Sequence, residues 1–88
     1  MRVENVEIYS DVTNAAVLRH PGRKFPGVLV QGDTLYSLCS TLDIALSTVS
    51  PTSDEFAEIH DVRNSLWSLL THYKNVLAQH GLPTPFSE

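Results

Sequence analysis

The residues most able to do chemistry lie in one run, His20-Pro21-Gly22-Arg23-Lys24-Phe25-Pro26-Gly27. It combines guanidinium and ammonium donors with an aromatic ring on a backbone stiffened by proline, the makings of a contact site for a small anion or an acidic peptide. Three of the six lysines and arginines, Arg19, Arg23 and Lys24, fall within residues 19–24 beside His20. Gln31-Gly32-Asp33-Thr34 follows, where a helix begins and free amides favour an anion, although Asp33 itself would occupy and repel at that position. The candidate binding residues are therefore Arg19, Arg23, Lys24, Phe25, Gln31 and Asp33. A second reading makes the run a stiff connection between strands, with Phe25 anchoring it and the charges only solvating it.

Other chemistries find less support. Four histidines, His20, His60, His72 and His80, suggest a metal, but helical ligand pairs need spacings of three or four residues, which His60, His72 and His80 do not have. No metal site and no cofactor are expected. The chain has no Gly-x-Ser-x-Gly elbow, no phosphate-cradling Gly-x-x-x-x-Gly-Lys motif and no cysteine with a matched histidine and acid. Asp54, Glu55, Glu58 and Asp61 cluster where acids complement a helix dipole whatever the function. No catalytic residues are assigned, and an enzyme is not expected.

Composition narrows the class further. At 88 residues, 42% hydrophobic and 18% charged, the sequence describes one folded domain, residues 1–88. A net charge of −4 disfavours nucleic acid, whose phosphates need a basic footprint. No segment approaches the ~20 apolar residues of a membrane span, and the first residues do not read as a secretory signal. The lone Cys39 sits at helical spacing from Leu35, Leu38 and Leu42 and reads as a buried thiol. A cytoplasmic setting is expected.

The positioning elements follow from periodicity. Residues 3–9 alternate, with Val6 and Ile8 on one side, as in a half-buried strand. Ser10 to Asn14 has turn chemistry, and residues 14–20 and 27–31 supply two more strands, so the sheet occupies about residues 3–31. Leu35, Leu38, Cys39, Leu42, Leu46 and Val49 then predict an amphipathic helix over 33–49 with Asp33 as its N-cap. Thr52 and Glu55 have the spacing of a capping box, and a second helix spans 53–80, stopped by Gly81 and Pro83. The expected fold is α+β, a small antiparallel sheet of about three strands packed on two helices (βββαα), with a tail at 82–88 whose last two residues fray.

The second helix is the unusual element. Ile59, Val62, Leu66, Leu69, Leu70, Tyr73 and Leu77 form one stripe, flanked by Phe56, Trp67 and Val76, an apolar arc close to 180° wide. At ~40 Å it exceeds the ~30 Å breadth of a compact domain this size. An overhanging apolar stripe needs a cover, either another chain or the tail folded back, unless the helix breaks near Thr71-His72. The expected interface comprises Phe56, Arg63, Trp67, Leu70, Tyr73 and Leu77; Arg63 either stacks on Trp67 and pairs with an acid across the interface or snorkels past the edge of the core. The functional expectation is a non-catalytic interaction domain, a homodimer or one with a protein partner. An immunity or inhibitor protein acting through an acidic helical face is one form of it. The alternative is an anion- or ligand-binding regulatory module using the basic 19–27 loop.

The run Arg19-x-Pro21-Gly22-Arg23-x-Phe25-Pro26-Gly27-x-x-x-Gln31-Gly32-Asp33-x-Leu35 resembles the central motif of a family of small uncharacterised bacterial domains. That family's long last helix closes in a pattern similar to His72-Tyr73-Lys74-Asn75-Val76-Leu77-Ala78-Gln79-His80-Gly81. The resemblance implies a bacterial or phage-related setting and no assigned activity. It singles out Arg19, Arg23, Phe25, Gln31 and Asp33 for mutation.

Overall fold

The computed structural model describes residues 1–88 and shows three antiparallel strands followed by two helices, the second long, a βββαα arrangement of the α+β class. The chain divides into two compact units, Met1–Gln31 and Gly32–Glu88.

The first unit is a sheet in the order β1-β2-β3, formed by β1 (Glu7–Ser10), β2 (Ala16–Arg19) and β3 (Gly27–Leu29). Glu7 pairs with Arg19 and Ile8 with Leu18, and the register then slips so that Ser10 faces Val17. A bulge at Tyr9 of this kind bends the strand and strengthens its twist. Strand β1 starts at Glu7, not at Val3 as alternation predicted, because β2 ends at Arg19 and His20-Pro21 turns away, leaving residues 3–6 no ladder to join. Likewise β3 stops at Leu29, opposite Ala16, the first residue of β2. Nor is β1 half-buried: Ile8 is 60% exposed, and no residue of 1–31 is fully buried.

Between β2 and β3 the chain makes a type II turn. Pro21 sets the first central angle, Gly22 takes φ 87°, and the Arg23 amide donates to the His20 carbonyl at 3.0 Å. The turn predicted before β2 uses Thr13, whose hydroxyl donates to the Ala15 carbonyl at 2.8 Å and accepts its amide at 3.3 Å.

The second unit is a helical hairpin of α1 (Gly32–Leu46) and α2 (Asp54–Gln79). Helix α1 begins at Gly32, so Asp33 is a first-turn residue and not the N-cap; its carboxylate accepts the Thr34 amide at 2.9 Å. The helix ends at Leu46, short of residue 49. Ser47, Thr48 and Val49 each bond back three residues, and the Ser47 and Thr48 hydroxyls donate to the Ile44 and Ala45 carbonyls at 2.6 and 2.8 Å. Hydroxyls bonded to the carbonyls of the preceding turn tighten the backbone and close the helix early.

At the start of α2 the capping box is displaced by one residue. Ser53, not Thr52, is the N-cap, accepting the Phe56 amide at 3.1 Å, which leaves Glu55 outside the reciprocal bond. The C-terminus follows expectation. Gly81 has φ 67°, its amide bonds to the Ala78 carbonyl at 3.2 Å, and the Leu82 amide bonds to Leu77 at 2.9 Å, a Schellman closure. This turn sends the tail back along the helices. Phe86 stacks on Tyr36 at 4.4 Å between centroids, the Tyr36 hydroxyl donates to the Ser87 carbonyl at 3.2 Å, and Lys74 pairs with Glu88 at 2.6 Å. The chain end predicted to fray is therefore tied down by two polar contacts.

Two contacts place the antiparallel helices. Gly32 at the start of α1 is buried against Tyr73, and a Cβ built on it would overlap the tyrosine ring. Further along α1, Asp43 pairs with Arg63 of α2 at 2.7 Å. Between them lie the buried side chains Cys39 and Leu70, and beyond Asp43 lies Leu46. Overpacking at a tight contact typically costs 1–3 kcal/mol. Gly32→Ala is expected to destabilise the chain by about that amount in urea unfolding. In a Tyr73→Ala background the same change should cost almost nothing, the coupling that a double-mutant cycle reads.

Candidate interaction surfaces

The sheet unit carries the loop that the sequence marks out, and the turn at Pro21-Gly22 separates its cations into two roles. Arg19 is structural: its guanidinium pairs with Glu7 across β1 and β2 and donates to the Arg23 carbonyl at 3.1 Å, tying the turn to the sheet. Arg23 keeps its guanidinium out of any ion pair and lines a shallow cavity of about 350 Å³ with His20 and Phe25, over Leu18, Val28 and Leu29. His20 holds its ring against its neighbour, Nδ1 to the Pro21 carbonyl at 2.5 Å. Lys24 lies over the Phe25 ring, 5.5 Å from its centroid. Phe25 is 73% exposed and does not anchor the loop into a core. Arg19, Lys24 and Gln31 do not line the cavity, and Asp33 is part of α1.

In the helix unit the predicted interface residues lie along the α1–α2 seam. Leu70 is fully buried, and Phe56, Arg63, Trp67, Tyr73 and Leu77 are half-buried. Of the two readings of Arg63 the structure shows the first in part: its guanidinium lies over Trp67, 5.3 Å from the ring centroid, but its acid is Asp43 of the same chain. A second donor of the guanidinium reaches Asn64 at 3.2 Å, and Phe56 stacks on His60 at 5.5 Å. The hydrogen bond from Arg63 chiefly holds the Asp43 carboxyl below its ordinary value, against a smaller opposing effect of burial. The Trp67 Nε1–H is buried and completes no hydrogen bond, so its lesser influence on Asp43 is that of a nearby dipole. Burial raises the Cys39 thiol above its ordinary value, and the negative charge of Asp43 adds to the effect.

The Arg63–Asp43 pair marks one flank of the seam, and Tyr36 with its stacked Phe86 and Lys74 with Glu88 lie on that flank too. Turning each helix by 100° per residue puts Leu38 and Ala45 of α1, with Val62, Leu69 and Val76 of α2, on the other. There Leu38 is 48%, Val62 54% and Leu69 58% exposed. Sequence reasoning placed Val62 and Leu69 in the stripe but chose its centre as the interface. A hairpin partner takes the centre of such an arc and leaves an edge, and that edge was the available signal.

No three of the His, Cys, Asp and Glu side chains come together as a metal-binding group, and no helix is long and apolar enough to cross a membrane.

Fold and surfaces together define a small α+β domain whose chemistry-bearing groups sit on open faces. The chain belongs to the family described as "Family of unknown function (DUF6959)", whose model matches residues 1–86. Searches of curated proteins and of solved structures found no match.

The Asp43 pairing sets a pH dependence. Its carboxyl is lowered in the folded chain, so the stability it adds is complete above the unfolded value and is lost as pH falls through the folded one. Asp43→Asn is expected to lower stability near neutrality and to flatten the acid limb of a stability profile measured by urea unfolding; an acid limb identical to wild type would contradict the pairing.

Proposed function

We propose that the chain is a non-catalytic protein-interaction domain working through the open flank of its helical hairpin. The observation that carries this reading is the run of half-exposed leucine and valine side chains, Leu38, Val62 and Leu69, beside a seam that is already filled. Contiguous apolar surface of this kind marks association sites. Asp54, Glu55, Glu58 and Asp61 are exposed in the first two turns of the same helix and make no ion pair, which offers a partner a negative border. An immunity or inhibitor protein set against a basic surface of a toxin or nuclease is the form of this role that such a border supports. A bacterial, cytoplasmic setting accords with the motif resemblance and with the lone, buried Cys39.

A second reading rests on a different observation, the unpaired Arg23 beside His20 and Phe25 at the β2–β3 cavity. In it the chain is a regulatory module that holds a carboxylate or phosphate. The two readings predict opposite mutants. Tagged wild-type chain should capture a partner from the cells that make it. Leu69→Glu and the Glu58→Lys, Asp61→Lys pair should lose that partner, while the Arg23→Ala, Lys24→Ala pair retains it. Capture unaffected by either helix variant would overturn the interaction reading. Saturable shifts of residues 18–29 on NMR titration with inorganic phosphate, abolished by Arg23→Ala with Lys24→Ala, would favour the loop instead.

A further inference from the structure

The open flank has a pattern that selects its occupant. Ile59, Leu66 and Tyr73 recur every seven residues, and Val62, Leu69 and Val76 do the same three positions later, the a and d positions of a heptad repeat. Helix α1 covers part of the first series, since Ile59, Leu66 and Tyr73 are half-buried, but leaves Val62 and Leu69 more than half exposed. The tail lies on the opposite flank, held by Tyr36 and Lys74, and so does not cover this one.

The second series is symmetric about Leu69, with Val62 and Leu69 more than half exposed and Val76 half-buried. Turned end for end on a second copy, Val62 falls opposite Val76, Val76 opposite Val62 and Leu69 opposite itself, as a two-fold interface requires. Charge chooses the same direction. The acids Asp54, Glu55, Glu58 and Asp61 occupy one end of α2, and its only lysine, Lys74, is held by Glu88 on the opposite flank. A parallel pair would set acids level with acids. An antiparallel pair carries the two acidic ends apart, each Glu58 ~16 Å along the axis from the two-fold. Opposed helix dipoles favour this direction as well.

We propose that a second copy of this chain occupies the flank, its α2 antiparallel to the first about a two-fold axis at Leu69, so that two hairpins make a four-helix layer. This rests on the interaction reading and names the partner for the same surface. Helix pairs of this kind pack through apolar side chains that recur at heptad spacing, here Val62, Leu69 and Val76.

Light scattering on the full chain over a range of concentrations, combined with cysteine cross-linking, tests the proposal. The expected mass rises to that of two chains. Leu69→Cys should cross-link to itself on treatment with diamide. Val62→Cys should not do so alone but should cross-link when mixed with Val76→Cys. Wild type, whose Cys39 is buried, serves as the control that stays uncross-linked. Circular dichroism confirms that each variant is folded, and the wild-type mass remains decisive if one is not. A one-chain mass at every concentration overturns the proposal. So does self-cross-linking of Val62→Cys, which signals a parallel pair, or a two-chain mass without the Val62–Val76 product. Any of these results leaves the interaction reading standing if Leu69→Glu still loses a captured partner.

Discussion

Tyr73 lies against Gly32 so closely that a single added methyl group would overlap its ring. Because this contact joins the first residue of α1 to the sixth turn of α2, it fixes how the two helices lie along one another. Asp43 and Arg63 then meet without further adjustment, eleven residues along α1 from Gly32 and ten back along α2 from Tyr73. The apolar seam is drawn between these points. Cys39 and Leu70 become buried there, and the two hydrophobic stripes are aligned at their centres. The same alignment determines what is left uncovered, the edge of the wide α2 arc at Val62 and Leu69.

The polar features of the hairpin serve this arrangement. Arg63 lies within the apolar arc with its stem along the seam and its plane over Trp67, while its donors satisfy Asp43 and Asn64. Arginine suits this position because one planar group can stack and bond at once. On the sheet, Arg19 plays a comparable role between Glu7 and the Arg23 carbonyl, which frees Arg23 to face the cavity beneath Phe25. A run of cations that looks uniform in sequence thus contains one structural and one available guanidinium.

Much of this was legible in the sequence. Period-two and period-3.6 patterns gave the order of strands and helices, and Gly81 followed by Pro83 located the end of α2 within one residue. Boundaries set by pairing were not legible, because β1 begins where β2 runs out of partners and residues 3–6 have the same alternation as those that follow. The early end of α1 depends on hydroxyls turning back onto carbonyls, a choice that propensity leaves open. The role of Gly32 was hidden for a related reason: the residue it accommodates lies forty-one positions away, and spacing alone does not show that Tyr73 fills the space of a missing side chain. At the candidate surfaces, the sequence identified the arc and the basic loop but not which part of each the chain itself consumes.

The central claim is that the hairpin fills its seam from within and leaves its Val62–Leu69 flank for another molecule of the same chain. Methyl NMR with a soluble paramagnetic agent tests it most directly, read against protein concentration. The account predicts that Leu46 and Leu70 methyls stay protected throughout, while those of Val62 and Leu69 are bleached in dilute solution and become protected as concentration rises. Bleaching of Val62 and Leu69 that is the same at every concentration, or their protection in a species with the mass of one chain, would contradict it.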